Sequence, residues 1–156
     1  MRTETAVLLH NVRSSHNVGS IFRTADAAGV SKVYLSGYTP RPLDRFGREQ
    51  KEIAKTALGA EKYLPWEYAK SPNSFLRRLK KDGWHIVGVE QDKRAKNYRQ
   101  FTLRGNTLYI FGNEVLGLSK SLRDTCDDIV EIPMKGKKES LNVSVTAGII
   151  LFSITH

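Results

Sequence analysis

Short apolar runs alternate with segments of helical periodicity along the chain, and this alternation constrains the fold more than any other feature. The apolar runs predict strands, and the periodic segments with their capping residues predict helices. The predicted strands are Ala6–His10, Lys32–Ser36, His85–Glu90, Leu108–Phe111 and Ile129–Ile132, and the predicted helices are Val18–Ala28, Ser71–Asp82, Ser119–Thr125 and Asn142–Ile154. This order favours an α/β fold with a mostly parallel sheet covered by helices on both faces.

The chain is strongly basic. Its 156 residues include 25 Lys and Arg against 16 Asp and Glu, which gives a formal net charge of +9 and a pI near 9.8. A domain this basic attracts polyanions, and the usual polyanionic partner is nucleic acid. The alternative is that the charge serves solubility alone.

Two long segments between predicted elements, Gly37–Lys51 and Gln91–Arg104, carry much of this charge without helical or strand periodicity. Both mix basic and aromatic side chains, a combination suited to phosphate contacts and base stacking. We expect the first segment to contact RNA through Arg41, Arg45 and Arg48, and the second to contribute less. The alternative for both segments is a solvated loop whose charge is incidental.

A single cysteine, Cys126, excludes an internal disulfide and a cysteine-based metal cluster. The N-terminus lacks a signal-peptide core, and the apolar stretch Val145–Ile154 is about half of a membrane span. We therefore expect a cytoplasmic protein with no metal and no membrane contact. A chain of 156 residues fits one domain, and we expect 1–156 to form it without an extra RNA-binding domain.

Three segments place Asn, Gly and charged residues next to the ends of predicted strands. The first, Asn11–Val30, leads from a strand into a helix, which is the usual ligand edge of an open α/β sheet. Asn17 suits a helix cap, and Arg23 would fall in the first turn or two, where a cation opposes the helix dipole. Read alone, Asn17 is more simply a cap, and Arg23 is a surface ion pair as readily as a functional group.

The other two segments also place polar residues and glycines directly after a predicted strand. Leu108–Ser119 runs from a strand into a glycine-containing turn, where a ligand is able to approach the backbone closely. In Glu131–Ile154, a strand is followed by a loop and then by an apolar helix that either Ser140 or Asn142 is able to cap. Neither segment holds a dinucleotide fingerprint or a complete phosphate-binding loop, which excludes those classes of nucleotide-binding protein.

Together and in this order, the three segments resemble the SPOUT superfamily, in its SpoU/TrmH branch of RNA ribose methyltransferases. That branch shows N-x-G-x-x-x-R-(T/S)-A-(D/x)-A-x-G, then F-G-(N/x)-E-x-x-G-(L/I), then I-P-M-x-G-x-x-x-S-L-N-V-(S/x)-V. The three patterns stand here as Asn17–Gly29, Phe111–Leu118 and Ile132–Val145. The resemblance covers essentially the whole chain.

The resemblance implies that the α/β fold contains a C-terminal deep trefoil knot, and that the cofactor S-adenosylmethionine (SAM) binds in this knot, largely to backbone groups. The implied cofactor-binding residues are Phe111, Gly112, Asn113, Glu114, Gly117, Ile132, Pro133, Met134, Ser140, Leu141 and Asn142. Apolar Ile132 and Met134 beside glycine-rich turns suit an adenine ring.

The resemblance further implies methyl transfer to a ribose 2′-hydroxyl of structured RNA. Arg23 is the residue assigned to the hydroxyl. The implied supporting residues are Asn17, Glu114, Ser140 and Asn142. Because a guanidinium is charged at neutral pH, Arg23 is either an unusual general base or a cation that binds the adjacent phosphate and stabilises a developing alkoxide.

Members of this branch act as homodimers, with the last helix in the contact. The apolar stretch Val145–Phe152 suits that contact, and simple core packing is the alternative. We also expect RNA contacts from Arg13 and His16. Val115 stands where many members have Gly, which is expected to narrow or stiffen that turn.

We favour tRNA over rRNA as the substrate, with a 23S rRNA ribose methyltransferase as the alternative. Two further alternatives are a knotted relative that methylates bases and a non-catalytic RNA-binding protein of the same fold. A protein that only binds RNA need not retain the five residues assigned to catalysis together, and their joint presence favours the enzyme.

Overall fold

Parallel strands and helices alternate through residues 2–153, the part of the chain that this computed structural model describes. The strands are β1 (Thr5–His10), β2 (Lys32–Ser36), β3 (Trp66–Tyr68), β4 (His85–Val89), β5 (Lys96–Asn97), β6 (Thr107–Phe111) and β7 (Asp128–Glu131). The helices are α1 (Ser15–Ala27), α2 (Lys51–Ala57), α3 (Ala60–Tyr63), α4 (Pro72–Lys81), α5 (Lys120–Thr125) and α6 (Val143–Phe152).

Within these residues the strands form one sheet in the order β3-β2-β1-β6-β4-β7-β5, and every neighbouring pair is parallel. Successive side chains of a strand point to opposite faces, so each strand contributes to two cores. Val7 and Tyr109 pack with α1, α2 and α6, whereas Leu8 and Ile110 pack with α4 and α5. The prediction of an α/β fold with helices on both faces is confirmed.

Every predicted strand and helix is present, and its ends are shifted by at most three residues. Ile154, the predicted end of the last helix, lies outside the described residues, and α6 ends at Phe152. Elements without a predicted counterpart are α2, α3, β3 and β5, together with a 3-10 turn at Tyr98–Gln100. The two segments predicted to lack regular structure are thus partly ordered: Lys51 starts α2, and Gln91–Arg104 contains β5 and the 3-10 turn.

The start of α1 differs from the prediction in a way that matters for the site. Ser14 caps this helix, because its hydroxyl oxygen accepts the Asn17 N–H at 3.1 Å, and the helix therefore begins at Ser15. The prediction that Asn17 is the cap is wrong. Arg23 consequently lies in the third turn of α1 and not in the first two.

No helix within residues 2–153 is long and apolar enough to cross a membrane.

Candidate active site

The carboxyl ends of β4, β6 and β7 lie at one edge of the sheet, and a cleft opens between the segments that follow them. Because β1 is parallel to these strands, the start of α1 lies at the same edge. The predicted cofactor-binding residues line the cleft, with the exception of Pro133 and Asn142; those that do so are Phe111, Gly112, Asn113, Glu114, Gly117, Ile132, Met134, Ser140 and Leu141. The fold thus brings the second and third motifs to one cleft.

Hydrogen bonds between Asn113 and the backbone hold the loop after β6 in a tight turn. The side-chain oxygen of Asn113 accepts the N–H groups of Val115 and Leu116 at 2.9 and 2.8 Å. Its backbone carbonyl accepts the Gly117 N–H at 2.9 Å, and Gly117 adopts a left-handed φ of 67° that favours glycine. The side chain of Val115 is 89% exposed. It reaches solvent at the edge of the cleft, and the expectation that Val115 narrows or stiffens the turn stays a prediction.

Glu114 connects this loop to the start of α1. Its carboxylate oxygens accept the backbone N–H groups of Arg13 and Ser14, each at 3.0 Å. Burial raises the pKa of this carboxyl, but the hydrogen bonds from Arg13, Ser14 and the Asn17 side chain outweigh burial and hold the pKa below its usual value. The first and second motifs therefore share one hydrogen-bonded cluster.

Asn17 is buried, and its side chain is one of the groups that hold the pKa of Glu114 below its usual value. The motif glycine two residues later has a different role. A Cβ on Gly19 would overlap the Ile53 carbonyl and the Thr56 hydroxyl, so this glycine permits the close approach of α1 and α2.

Tyr38 joins the basic loop after β2 to the cleft. The Asn113 side-chain nitrogen donates to the Tyr38 hydroxyl at 2.9 Å and to the Asn11 carbonyl at 3.0 Å. Asn11 has a left-handed φ of 57°, and its side-chain oxygen accepts the Tyr38 N–H at 3.0 Å. The loops that follow β1, β2 and β6 are thereby connected by side-chain hydrogen bonds.

The third motif leads from the cleft into α6. Asn142 caps this helix, since its side-chain oxygen accepts the Ser144 N–H at 2.8 Å and the Ser144 hydroxyl at 2.6 Å. Of the two predicted capping residues, Asn142 is therefore the one that caps the helix. Ser140 is exposed and lines the cleft.

Arg23 lies outside this cleft. It is exposed on α1, eight residues beyond Ser15, which corresponds to about 12 Å along the helix. The neighbouring residue Thr24 faces α6, where a Cβ on Gly148 would lie 3.8 Å from the Thr24 methyl carbon. α1 thus packs against α6 near Arg23, and Arg23 itself is not among the residues that line the cleft.

The loop after β2 forms a hairpin around Asp44, which we call the basic hairpin (residues 43–49). The Asp44 carboxylate accepts the backbone N–H groups of Arg48 and Phe46 and pairs with the Arg48 guanidinium at 2.8 Å. These bonds, chiefly the one from the Arg48 backbone, hold the pKa of Asp44 below its usual value.

The tip of the basic hairpin presents an aromatic ring with two cations. Phe46 is 66% exposed, and the guanidinium carbons of Arg45 and Arg48 lie 4.8 and 5.0 Å from its ring centre. Arg41, before the hairpin, stacks on Tyr68 at 3.6 Å. The other two residues predicted to contact RNA, Arg13 and His16, are exposed at the start of α1.

The sequence motifs missed the residues at the carboxyl end of β4. Val89, Glu90 and Gln91 also line the cleft, although none belongs to a motif. A signal was present, because the predicted strand His85–Glu90 ends in a charged residue at the edge where parallel strands place their ligands.

Comparison with known proteins connects this geometry to one family. A model of the SpoU rRNA Methylase family matches residues 4–152. The 23S rRNA (guanosine-2'-O-)-methyltransferase RlmB of Xanthomonas axonopodis pv. citri is 36% identical over 146 residues, which cover 94% of this chain and 56% of that protein. The chain thus spans just over half the length of the curated relatives that it matches.

Solved structures share the fold. The TrmH/SpoU tRNA modifying enzyme of A. aeolicus superimposes with a TM-score of 0.84 at 30% identity, covering 97% of this chain and 74% of that one. An AdoMet-bound rRNA methyltransferase from Sinorhizobium meliloti gives a TM-score of 0.87 at 30% identity, covering 98% of this chain and 56% of that one.

Proposed function

The chain belongs to the SpoU rRNA Methylase family, and from this premise we propose that it transfers a methyl group from SAM to a ribose 2′-hydroxyl of RNA. The observation that carries the proposal is the Glu114 carboxylate, which binds the N–H groups of Arg13 and Ser14 and so joins the first motif to the cleft formed by the other two.

The residues of the cleft fit SAM. The apolar side chains of Ile132, Met134 and Leu141 suit the adenine ring, and the glycine-containing loop after β6 exposes backbone groups. Glu90 and Glu131 line the same cleft and favour a ligand that carries positive charge. When bound, SAM supplies an electrophilic methyl group, so the protein must mainly orient the hydroxyl and handle one proton.

Within this proposal, Glu114 and Asn17 fix the loops, whereas Ser140, on the open side of the cleft, faces the RNA. Asn142 fixes the start of α6. Arg23, as a charged guanidinium, binds the phosphate beside the target ribose and stabilises the developing alkoxide. This role suits an arginine better than general base catalysis, because a guanidinium gives up its proton reluctantly.

We further propose that Arg23 acts in the cleft of a second subunit. The first turns of α6 line the cleft through Val143 and Thr146, and α6 also exposes Val145 and Phe152, which are 49% and 60% accessible. An exposed apolar face on a helix that already buries its other face suits a protein partner. In a symmetric dimer formed through α6, the Arg23 of each subunit lies close to the cleft of the other.

The family resemblance also supports a trefoil knot, in which the segment between β7 and α6 threads the loop after β6. Contacts of both segments with one cleft are consistent with this arrangement.

The RNA substrate would contact the basic hairpin together with Arg13 and His16, all at the edge of the sheet that holds the cleft. We favour tRNA over 23S rRNA, because this chain covers 74% of the A. aeolicus tRNA modifying enzyme but 56% of the Xanthomonas 23S rRNA enzyme. Both RNAs would place the protein in the cytoplasm.

The direct test is transfer of tritiated methyl from SAM to total tRNA and to rRNA, with mass spectrometry of the nucleosides. We expect a 2′-O-methylated nucleoside in the tRNA fraction. Methylation of a base would overturn the ribose assignment. Failure to bind SAM in isothermal titration would leave a non-catalytic RNA-binding protein.

A further inference from the structure

Glu90 is a charged residue of the cleft that no motif accounts for. It follows β4 directly, and both of its carboxylate oxygens are held in place by backbone groups: one accepts the Leu118 N–H at 2.7 Å and the other accepts the Gln91 N–H at 2.9 Å. The carboxylate is thereby fixed at the wall of the cleft.

The neighbouring backbone leaves room for this carboxylate. A Cβ on Gly117 would overlap the Glu90 side chain, and Gly117 also has the left-handed φ of 67° that other residues rarely adopt. The motif glycine therefore serves two needs, the turn itself and the space that Glu90 occupies.

Two N–H groups do not use the full capacity of a carboxylate, which accepts about four hydrogen bonds. Because Glu90 lines the cleft, the remaining acceptor positions of its carboxylate are available to a ligand there. A ribose presents two adjacent hydroxyl donors, and in dinucleotide-binding α/β proteins a carboxylate binds a ribose hydroxyl in this way. The adenine ring has its own apolar partners in Ile132 and Met134.

We propose that the Glu90 carboxylate binds the ribose hydroxyls of SAM and thereby positions the cofactor in the cleft. The inference rests on the proposed function, since it takes SAM as the ligand of the cleft. Glu90 does not touch the reacting atoms and acts as a positioning residue.

The test is isothermal titration with S-adenosylhomocysteine and with its 2′-deoxy and 3′-deoxy analogues. We expect the wild-type protein to bind at least one deoxy analogue about tenfold or more weakly, as for loss of a hydrogen bond to a charged group. In Glu90→Gln, which keeps an oxygen for the Leu118 N–H, this preference for the intact ribose should fall to about twofold or less.

A matched control is Glu131→Gln, which removes a second carboxylate from the same cleft. It should weaken the intact and deoxy ligands by equal factors and keep the preference for the intact ribose. Equal weakening of all ligands by Glu90→Gln would make Glu90 a purely structural partner of Leu118 and overturn the inference.

The wild-type comparison does not depend on how well the variant folds. If the wild type binds intact and deoxy ligands equally, the inference fails while the methyltransferase proposal stands. If it binds none of them, the proposed function fails as well, and the two failures are thereby distinguished.

Discussion

The Glu114 carboxylate accepts the backbone N–H of Ser14 at 3.0 Å, and Ser14 is the residue that caps α1. This bond spans 100 residues of sequence and fixes the start of the helix that carries Asn17 and Arg23 to the loop beside the cleft. Hydrogen bonds of Glu114 therefore connect the first motif to the second. A change in Glu114 should affect both the stability of the protein and the shape of the site.

Replacing Glu114 with Gln should reduce the free energy of unfolding by about 1 kcal/mol at neutral pH, because the amide loses charge-assisted hydrogen bonds at a partly exposed position. The pKa of Glu114 is lowered in the folded protein. Its contribution is therefore fully present above the ordinary value of 4.5 and is lost as the pH falls through the lower folded value.

Urea unfolding at a series of pH values measures this effect. The difference between wild type and Glu114→Gln should stay constant from neutral pH down to 4.5 and shrink below it. Glu4→Gln, an exposed charge before β1, is the control and should change stability by less than about 0.5 kcal/mol. A difference that grew on acidification would contradict the assigned role.

Arg23→Ala should abolish methyl transfer and leave folding and SAM affinity nearly unchanged, because Arg23 is exposed and lies outside the cleft. Thermal melting, isothermal titration with SAM and methyl-transfer assays separate these quantities. Arg23→Lys should remain strongly impaired, since an ammonium cannot reproduce the planar fork of a guanidinium. Near-normal activity of the lysine variant would contradict phosphate binding by that fork.

A mixing experiment tests whether Arg23 acts in the partner's cleft. Gly117→Val should block the cleft, because a side chain there overlaps Glu90. Refolding it with an equal amount of Arg23→Ala should restore roughly a quarter of wild-type activity, since half of the dimers are mixed and each holds one complete site. No recovery in demonstrably mixed dimers would place Arg23 in the cleft of its own subunit.

The strands that sequence reasoning found and missed differ in burial. The inner strands β1, β4, β6 and β7 are covered on both faces. Their sequences are therefore nearly continuous apolar runs, which made them predictable. β3 and β5 are the edges of the sheet, and they are short and partly exposed, which removes the apolar signal. The helices α2 and α3 have seven and four residues and lack a side-chain cap, whereas α5, with six residues, begins after the capping Ser119.

The candidate site was only partly predictable, because some of its residues meet through contacts that are distant in the sequence. The motifs identified most of the residues that line the cleft. Sequence spacing did not reveal that Ser14 caps α1 or that Arg23 lies outside the cleft. The charge at the end of the predicted strand was a signal for Glu90, but its place beside the cleft depends on the long-range pairing of β4 with β6 and β7.

The exposed apolar face of α6 should form the dimer contact. Val145→Glu combined with Phe152→Glu is expected to produce a monomer, because two charges at the centre of an apolar contact are costly to bury. Sedimentation velocity measures the change in mass, and circular dichroism checks the fold. Tyr63→Glu, which charges a 77% exposed aromatic position on α3, should leave the dimer intact. An unchanged dimer in the α6 double variant would refute this interface.

The tip of the basic hairpin should bind RNA through base stacking on Phe46 and phosphate contacts of Arg45. Phe46→Ala should weaken RNA binding by about 5-fold to 100-fold, the range expected for loss of one base–aromatic stack, whereas Phe46→Tyr should retain binding. Arg45→Ala should lower the slope of log affinity against log salt concentration by about 1, as for loss of one phosphate contact. Filter binding of tRNA at several salt concentrations measures both effects. If Phe46→Ala bound tRNA as well as the wild type did, while thermal melting showed an intact fold, the hairpin would have no stacking role.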